Sequence, residues 1–125
     1  MTIVLADTSV WRRHLAGGKG VAALSTLLEE GDLIVHPWVV AELLLGGLSA
    51  STEALLRKLP AANVVPDGEV LSFVRARRLQ QRGVGWVDVH LLASTLVHGA
   101  RLWTFDKALA SAAEACDVAY RATVT

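Results

Sequence analysis

The sequence predicts an α/β domain, a parallel sheet covered on both faces by helices. Two observations carry this expectation. Short, continuous runs of branched apolar residues alternate with longer segments whose apolar residues recur at helical spacing. Strands that are apolar throughout, rather than at every second residue, are those buried on both faces. At 125 residues the chain has the size of one ordinary domain. Residues 1–125 are therefore expected to form a single unit, with no internal repeat, linker or low-complexity segment in view.

The first strand is expected at Ile3 to Ala6, which stops on Asp7. "VAALSTLLEEG" has helical spacing and ends at Gly31, a natural C-terminal glycine. "DLIVH" reads as the second strand, and Pro37 suits the first position of the helix "PWVVAELLLGG". A further helix through "STEALLRKL" is closed by Pro60, and "ANVV" is a short third strand. Asp67 can cap a long helix running through "GEVLSFVRARRLQQRG" to Gly83. "WVDVHLLASTLVHG" is the next helix, with Gly99 as its stop. "RLWTF" is a strand, "KALASAAEAC" a helix and "VAYRA" the last strand.

Composition removes several classes of function. Twelve basic side chains balance twelve acidic ones, so no bulk positive field draws the chain to nucleic acid. A local basic patch could still supply phosphate contacts. The hydrophobic share of 53 % exceeds the usual value for soluble domains, which fits either a full core or an apolar face for a partner. A lone cysteine, Cys116, permits no disulfide within the chain, and its setting in "ASAAEACDV" is that of a small apolar helix residue. Asp7 interrupts the first apolar run and no basic segment precedes it, so no signal peptide is expected. The greasiest stretch, "WVVAELLLGGL", is too short to span a bilayer and carries Glu42. No membrane association and a cytoplasmic location are the expectation.

Four acids stand in apolar surroundings. Asp7 and Asp106 each follow a strand, the edge at which parallel sheets place their ligands. Glu42 lies in "VVAELLL", and Asp88 falls in the first turn of "WVDVHLLA". Each has an ordinary reading, as a helix cap or a charge favouring a helix dipole. As a group they repel one another and lose hydration, a conflict that shared protons or a cation would relieve. A hard divalent cation with oxygen ligands, Mg2+ or Mn2+, answers it. His14, His36, His90 and His98 are too scattered for a histidine-based metal site. An all-carboxylate site of this kind serves hydrolysis of phosphate esters. Thr8, Ser9 and Thr104 are placed to donate to phosphate or to orient a carboxylate, or simply to cap helices.

"ADTSVW", Glu42 in its apolar helix, "DVHLLAS" and "LWTFD" together resemble the four acidic motifs of PIN domains, and most closely those of VapC-type toxins. The likeness spans nearly the whole chain in order and spacing. It implies a five-stranded parallel sheet and a magnesium-dependent endoribonuclease. Asp7, Glu42, Asp88 and Asp106 would surround the metal, with Thr104 as a polar helper. It also implies a VapB-like antitoxin partner and a homodimer. Phe105 departs from the basic residue that many relatives carry between the threonine and the last acid. His90 is expected to pack or bond near the site and not to act as the base.

Arg12 and Arg13, just after Asp7, read as RNA contacts or, equally, as ordinary surface arginines or contacts to the antitoxin. Arg75, Arg78 and Arg82 would share one face of the long helix, as a phosphate-gripping stripe or a solvated surface. Trp11, Trp38 and Trp86 each lie close to a proposed ligand and could stack on bases, line a partner groove or join the core; Trp103 reads as core. Two other functions compete. A non-cleaving PIN-like binding module predicts a lost acid, whereas all four are present. A phosphatase of the haloacid-dehalogenase kind needs an aspartate two residues after the first, where this chain has Ser9.

Overall fold

A computed structural model describes residues 2–122. The outermost residues of the expected 1–125 domain, 1 and 123–125, lie outside it. In chain order the elements are β1 (Val4–Ala6), α1 (Thr8–Leu15), α2 (Ala22–Glu30), β2 (Leu33–Ile34), α3 (Pro37–Leu45), α4 (Ala50–Leu56), α5 (Asp67–Ala76), α6 (Trp86–His98), β3 (Arg101–Trp103) and α7 (Lys107–Ala115). The strands form one parallel sheet in the order β2-β1-β3. Val4, Leu5 and Ala6 are all fully buried. Successive strand residues point to opposite faces, so helices cover both.

Where five strands were expected, three form ladders among the described residues. The other two runs are present but shortened to single parallel bridges, Val35 with Ala61 and Leu102 with Ala119. Their bonding flanks β2 and β3: Val35 N donates to Pro60 O at 2.9 Å, and Leu102 N to Val118 O at 2.7 Å. Pro60 has no amide hydrogen and cannot extend the outer ladder. Both outer segments thus stay at the sheet edges as brief contacts.

The long arginine-bearing helix is also shorter than expected. It ends at Ala76, because Arg78 and Gln81 adopt left-handed backbone conformations, φ 55° and 63°. Between them Leu79 turns into the core at 2 % exposure, its amide bonded to Val74 O. Burying one leucine interrupts the helical stripe: Arg75 lies on the helix, while Arg78 and Arg82 lie beyond its end. Asp67 is not the cap either. Pro66 takes that position, and the Asp67 carboxylate instead reaches His90. Gly31 and Gly99 close α2 and α6 in the left-handed conformation expected of them. Trp11 and Trp103 are core residues.

The chain leaves β1 toward β2 on one side and returns to β3 on the other. That reversal opens a crevice beyond the carboxyl ends of β1 and β3. Asp7 N donates to Trp103 O at 3.0 Å, joining the two loops that border it. The N-termini of α3 and α6 face the same edge, since α3 follows β2 and α6 runs back to feed β3.

Candidate active site

Each of the four acids is held by local backbone rules, and the same rules bring them together. Asp7 is the N-cap of α1, its Oδ1 accepting from Val10 N at 3.2 Å. Asp106 is the N-cap of α7, accepting from Leu109 N at 2.8 Å. Asp88 is the third residue of α6, and its Oδ2 accepts from Gly85 N at 3.0 Å as half of a capping box. Glu42 lies on α3, its Oε1 accepting from Thr8 Oγ1 at 2.5 Å. Capping and clustering are therefore not rival readings here. Three acids cap helices whose N-termini all open onto one crevice.

Hydroxyls knit the cluster. Ser9 Oγ donates to Asp7 Oδ1 at 2.6 Å and accepts from Phe105 N at 3.0 Å. Thr104 Oγ1 donates to Asp7 Oδ2 and accepts from Asp106 N at 3.0 Å. The loop after β1 is thus stapled twice to the loop after β3. Thr8 does more than begin a helix, since it links α1 to Glu42.

The electrostatics are those of crowded anions. Burial raises the Asp7 carboxyl above its ordinary 3.8, and bonds from Ser9, Thr104 and Val10 pull partly the other way. Asp88 is raised first by burial and then by the charges of Asp106, Asp7 and Glu42, against the bond from Gly85. The four predicted residues thus share one electrostatic neighbourhood.

Among the described residues, no three Asp, Glu, His or Cys side chains already converge into a closed metal cage. The donor set nevertheless fits a hard cation. Glu42 Oε2, Asp88 Oδ1 and Asp106 Oδ2 accept no hydrogen bond among the described residues, and every candidate donor is oxygen. Unneutralised, these charges raise the energy of the site, and a divalent cation would relieve it.

The two arginines expected at the site part company. Arg13 lays its guanidinium over the Phe105 ring, 3.9 Å from the centroid, beside Thr104 and Asp106. A positive charge therefore stands over residue 105, although its own side chain is neutral. Arg12 instead lines a cleft of about 370 Å³ with Leu15, Gly46, Ser49 and Thr52, between α1, α3 and α4.

A second polar layer includes His90, which packs and bonds as expected, and His36, which sequence reasoning missed. His90, fully buried, places Nε2 3.1 Å from Asp67 Oδ1, and both Trp38 and Trp86 pack on its ring. His36, also fully buried, caps α3 by accepting from Trp38 N at 3.0 Å. Burial, then the proximity of His90, lowers its pKa from 6.5 to about 4. A histidine between a strand and Pro37 was the available signal.

Residues 4–115 match the PIN domain, and the chain belongs to that family. It is 44 % identical over 120 residues to Ribonuclease VapC32 of Mycobacterium tuberculosis, in strains CDC 1551 and H37Rv, covering 94 % of this chain and 95 % of that protein. The crystal structure of PAE2754 from Pyrobaculum aerophilum shares the fold with a TM-score of 0.59 at 15 % identity, covering 89 % of this chain and 84 % of that one. No helix among the described residues is long and apolar enough to cross a membrane.

Proposed function

We propose that this chain is a divalent-metal-dependent endoribonuclease, the toxin of a VapBC-type toxin–antitoxin pair. The observation that carries the reading is the convergence of Asp7, Glu42, Asp88 and Asp106, from four separate segments, on the carboxyl edge of the sheet. Its likeness to Ribonuclease VapC32 over nearly its full length supports RNA as the substrate. Residues 1–125 act as one nuclease domain.

Asp7, Glu42, Asp88 and Asp106 hold the cation, Mg2+ or Mn2+. When bound, it supplies a Lewis acid that offsets phosphate charge and makes water nucleophilic near neutral pH. The chain's own groups prepare that site. Ser9 and Thr104 fix both oxygens of Asp7, Thr8 fixes Glu42, and the Gly85 amide fixes Asp88. Held this way, one oxygen or more of Asp7, Glu42 and Asp88 is oriented before substrate arrives. Thr104, bonded to one proposed ligand and to the amide of another, sets their relative positions. Arg13 meets the RNA phosphates at the rim, and Arg12 contacts the RNA from the separate cleft between α1, α3 and α4. No histidine is needed as a base. The protein works in the cytoplasm as a homodimer, and a VapB-like antitoxin restrains it.

The test is direct. Purified protein is incubated with total RNA in Mg2+, in Mn2+ and in chelator, beside an Asp88→Asn variant. Discrete RNA fragments that require metal and vanish in the variant are the expected result. Identical cleavage by the variant, or cleavage in chelator, would overturn the proposal.

A further inference from the structure

Two tryptophans remain unused by this chemistry. Trp38 stands one turn before Glu42 on the same face of α3, and Trp86 opens α6 two residues before Asp88. Their ring centroids are 6.4 Å apart. Both rest on the buried His90 ring, at 4.2 Å for Trp38 and 4.6 Å for Trp86. Asp67 holds that imidazole from outside and His36 packs behind it, 6.5 Å between ring centroids. An indole needed only for the core would be enclosed, as Trp11 and Trp103 are at 2 % and 3 % exposure. Trp86 is 40 % exposed. A costly aromatic surface is therefore kept open, rigidly backed, on the helix ends that carry two of the four acids.

We infer that Trp86, supported by Trp38 and His90, is a stacking platform for an unpaired base of the RNA next to the scissile phosphate. The inference rests on the endoribonuclease reading and adds a base-binding subsite to it. Stacking on an indole is tolerant of sequence, and it supplies affinity that a chain of zero net charge cannot draw from its overall field. Position argues for RNA over a protein partner. The exposed aliphatic residues of this region, Leu44 and Leu45, lie at the far end of α3 from Trp38, with Leu55 on α4 beyond them. Six and seven helical residues separate Trp38 from Leu44 and Leu45, about 10 Å along the axis. Aliphatic surface suits a protein, while the aromatic surface adjoins the acids.

The test measures binding in chelator, so that affinity is read without cutting. The probes are a short fluorescent oligoriboadenylate and an abasic ribose-phosphate oligomer of the same length, followed by anisotropy. Wild type should bind the adenylate about tenfold more tightly than the abasic strand. Trp86→Ala should lose that preference and bind both alike, whereas Trp86→Phe, which keeps a stacking face, should retain most of it. Indole emission should fall on adding adenylate to wild type and change much less in Trp86→Ala. Unchanged adenylate affinity in Trp86→Ala would overturn the platform. Cleavage of total RNA, run in parallel, separates the two readings. Cutting without a Trp86 effect leaves the nuclease and removes the platform. Base-dependent binding without metal-dependent cutting does the reverse.

Discussion

Replacing Thr104 with valine keeps the shape of the side chain and deletes its hydroxyl. That hydroxyl donates to Asp7 Oδ2 and accepts from the Asp106 amide. Asp7 is only 6 % exposed, so water cannot readily replace the lost donor, and a hydrogen bond to a charged group contributes about 1.5–3 kcal/mol. The Asp106 amide is exposed and rehydrates, adding about 0.5 kcal/mol. Together these give a loss of about 2–3.5 kcal/mol, or about 6–18 °C in Tm for a domain of this size. The pH dependence identifies the cause. Burial already raises the Asp7 pKa above 3.8, and the Thr104 bond opposes that rise, so Thr104→Val raises it further. A carboxylate with a raised folded-state pKa penalises the fold only where it is ionised. The penalty is absent below the unfolded value and grows as pH climbs through the folded one. The Thr104→Val deficit should therefore be larger at neutral pH and shrink in acid. Thermal melts in chelator at neutral and acidic pH would measure it, with Thr104→Ser restoring stability. An equal deficit at both pH values, or none at neutral pH, would refute the argument.

The remaining acids and the buried histidine give further outcomes. Asp7→Asn and Asp88→Asn should each abolish cleavage, yet leave the metal-free protein as stable as wild type at neutral pH or more so, because each removes a carboxylate that burial disfavours; thermal melts in chelator would show this, and a large fall in Tm would contradict it. Manganese at a hundred times its Kd should stabilise wild type by about 2.7 kcal/mol and Asp88→Asn by much less, a difference visible in melts with and without the ion. Burial keeps His36 neutral, lowering its pKa from 6.5 to about 4, which corresponds to about 3 kcal/mol of stability. A group with a lowered histidine pKa contributes fully above 6.5 and loses its contribution as pH falls toward 4. Urea titrations across that range should show a flatter acid limb for His36→Asn, which retains a side-chain acceptor for the Trp38 amide.

The legible parts of this chain are those in which one residue answers to one local rule. Gly31 and Gly99 end helices, Pro37 begins one, and the runs at β1 and β3 are too apolar to lie anywhere but the sheet. All four acids could be read because a charge in "VVAELLL" or at the end of "IVLA" has no reason to be there on packing grounds alone. What could not be read depended on partners distant in the chain. Leu79 is one more apolar residue in a helical pattern until it folds into the core, and that single choice ends α5 at Ala76. Asp67 looks like a cap, and only the position of His90, 23 residues on, gives its carboxylate other employment. Arg13 illustrates the point at the site itself. Its sequence position shows a cation near Asp7, but its place over Phe105 depends on the loop after β3, which Ser9 draws toward α1.

The opposition between cap and ligand, which the sequence posed for Asp7, Asp88 and Asp106, dissolves for a related reason. A cap uses carboxylate oxygen to satisfy backbone N–H groups at a helix N-terminus, and that terminus carries positive potential. The arrangement holds an anion rigidly and partly offsets its burial, which is what an anionic site requires before its cation arrives. Asp88 and Asp106 each give one oxygen to a backbone amide, and the other accepts no hydrogen bond among the described residues. Asp7, the most deeply buried of the three, is the exception. Both of its oxygens accept hydrogen bonds, two of them from Ser9 and Thr104. Those hydroxyls, unlike amides, can rotate away when a cation competes for the same oxygen. If the four acids hold a cation as proposed, Asp7 is the one whose environment would change most on metal binding, and its hydroxyl partners should govern how readily the site fills.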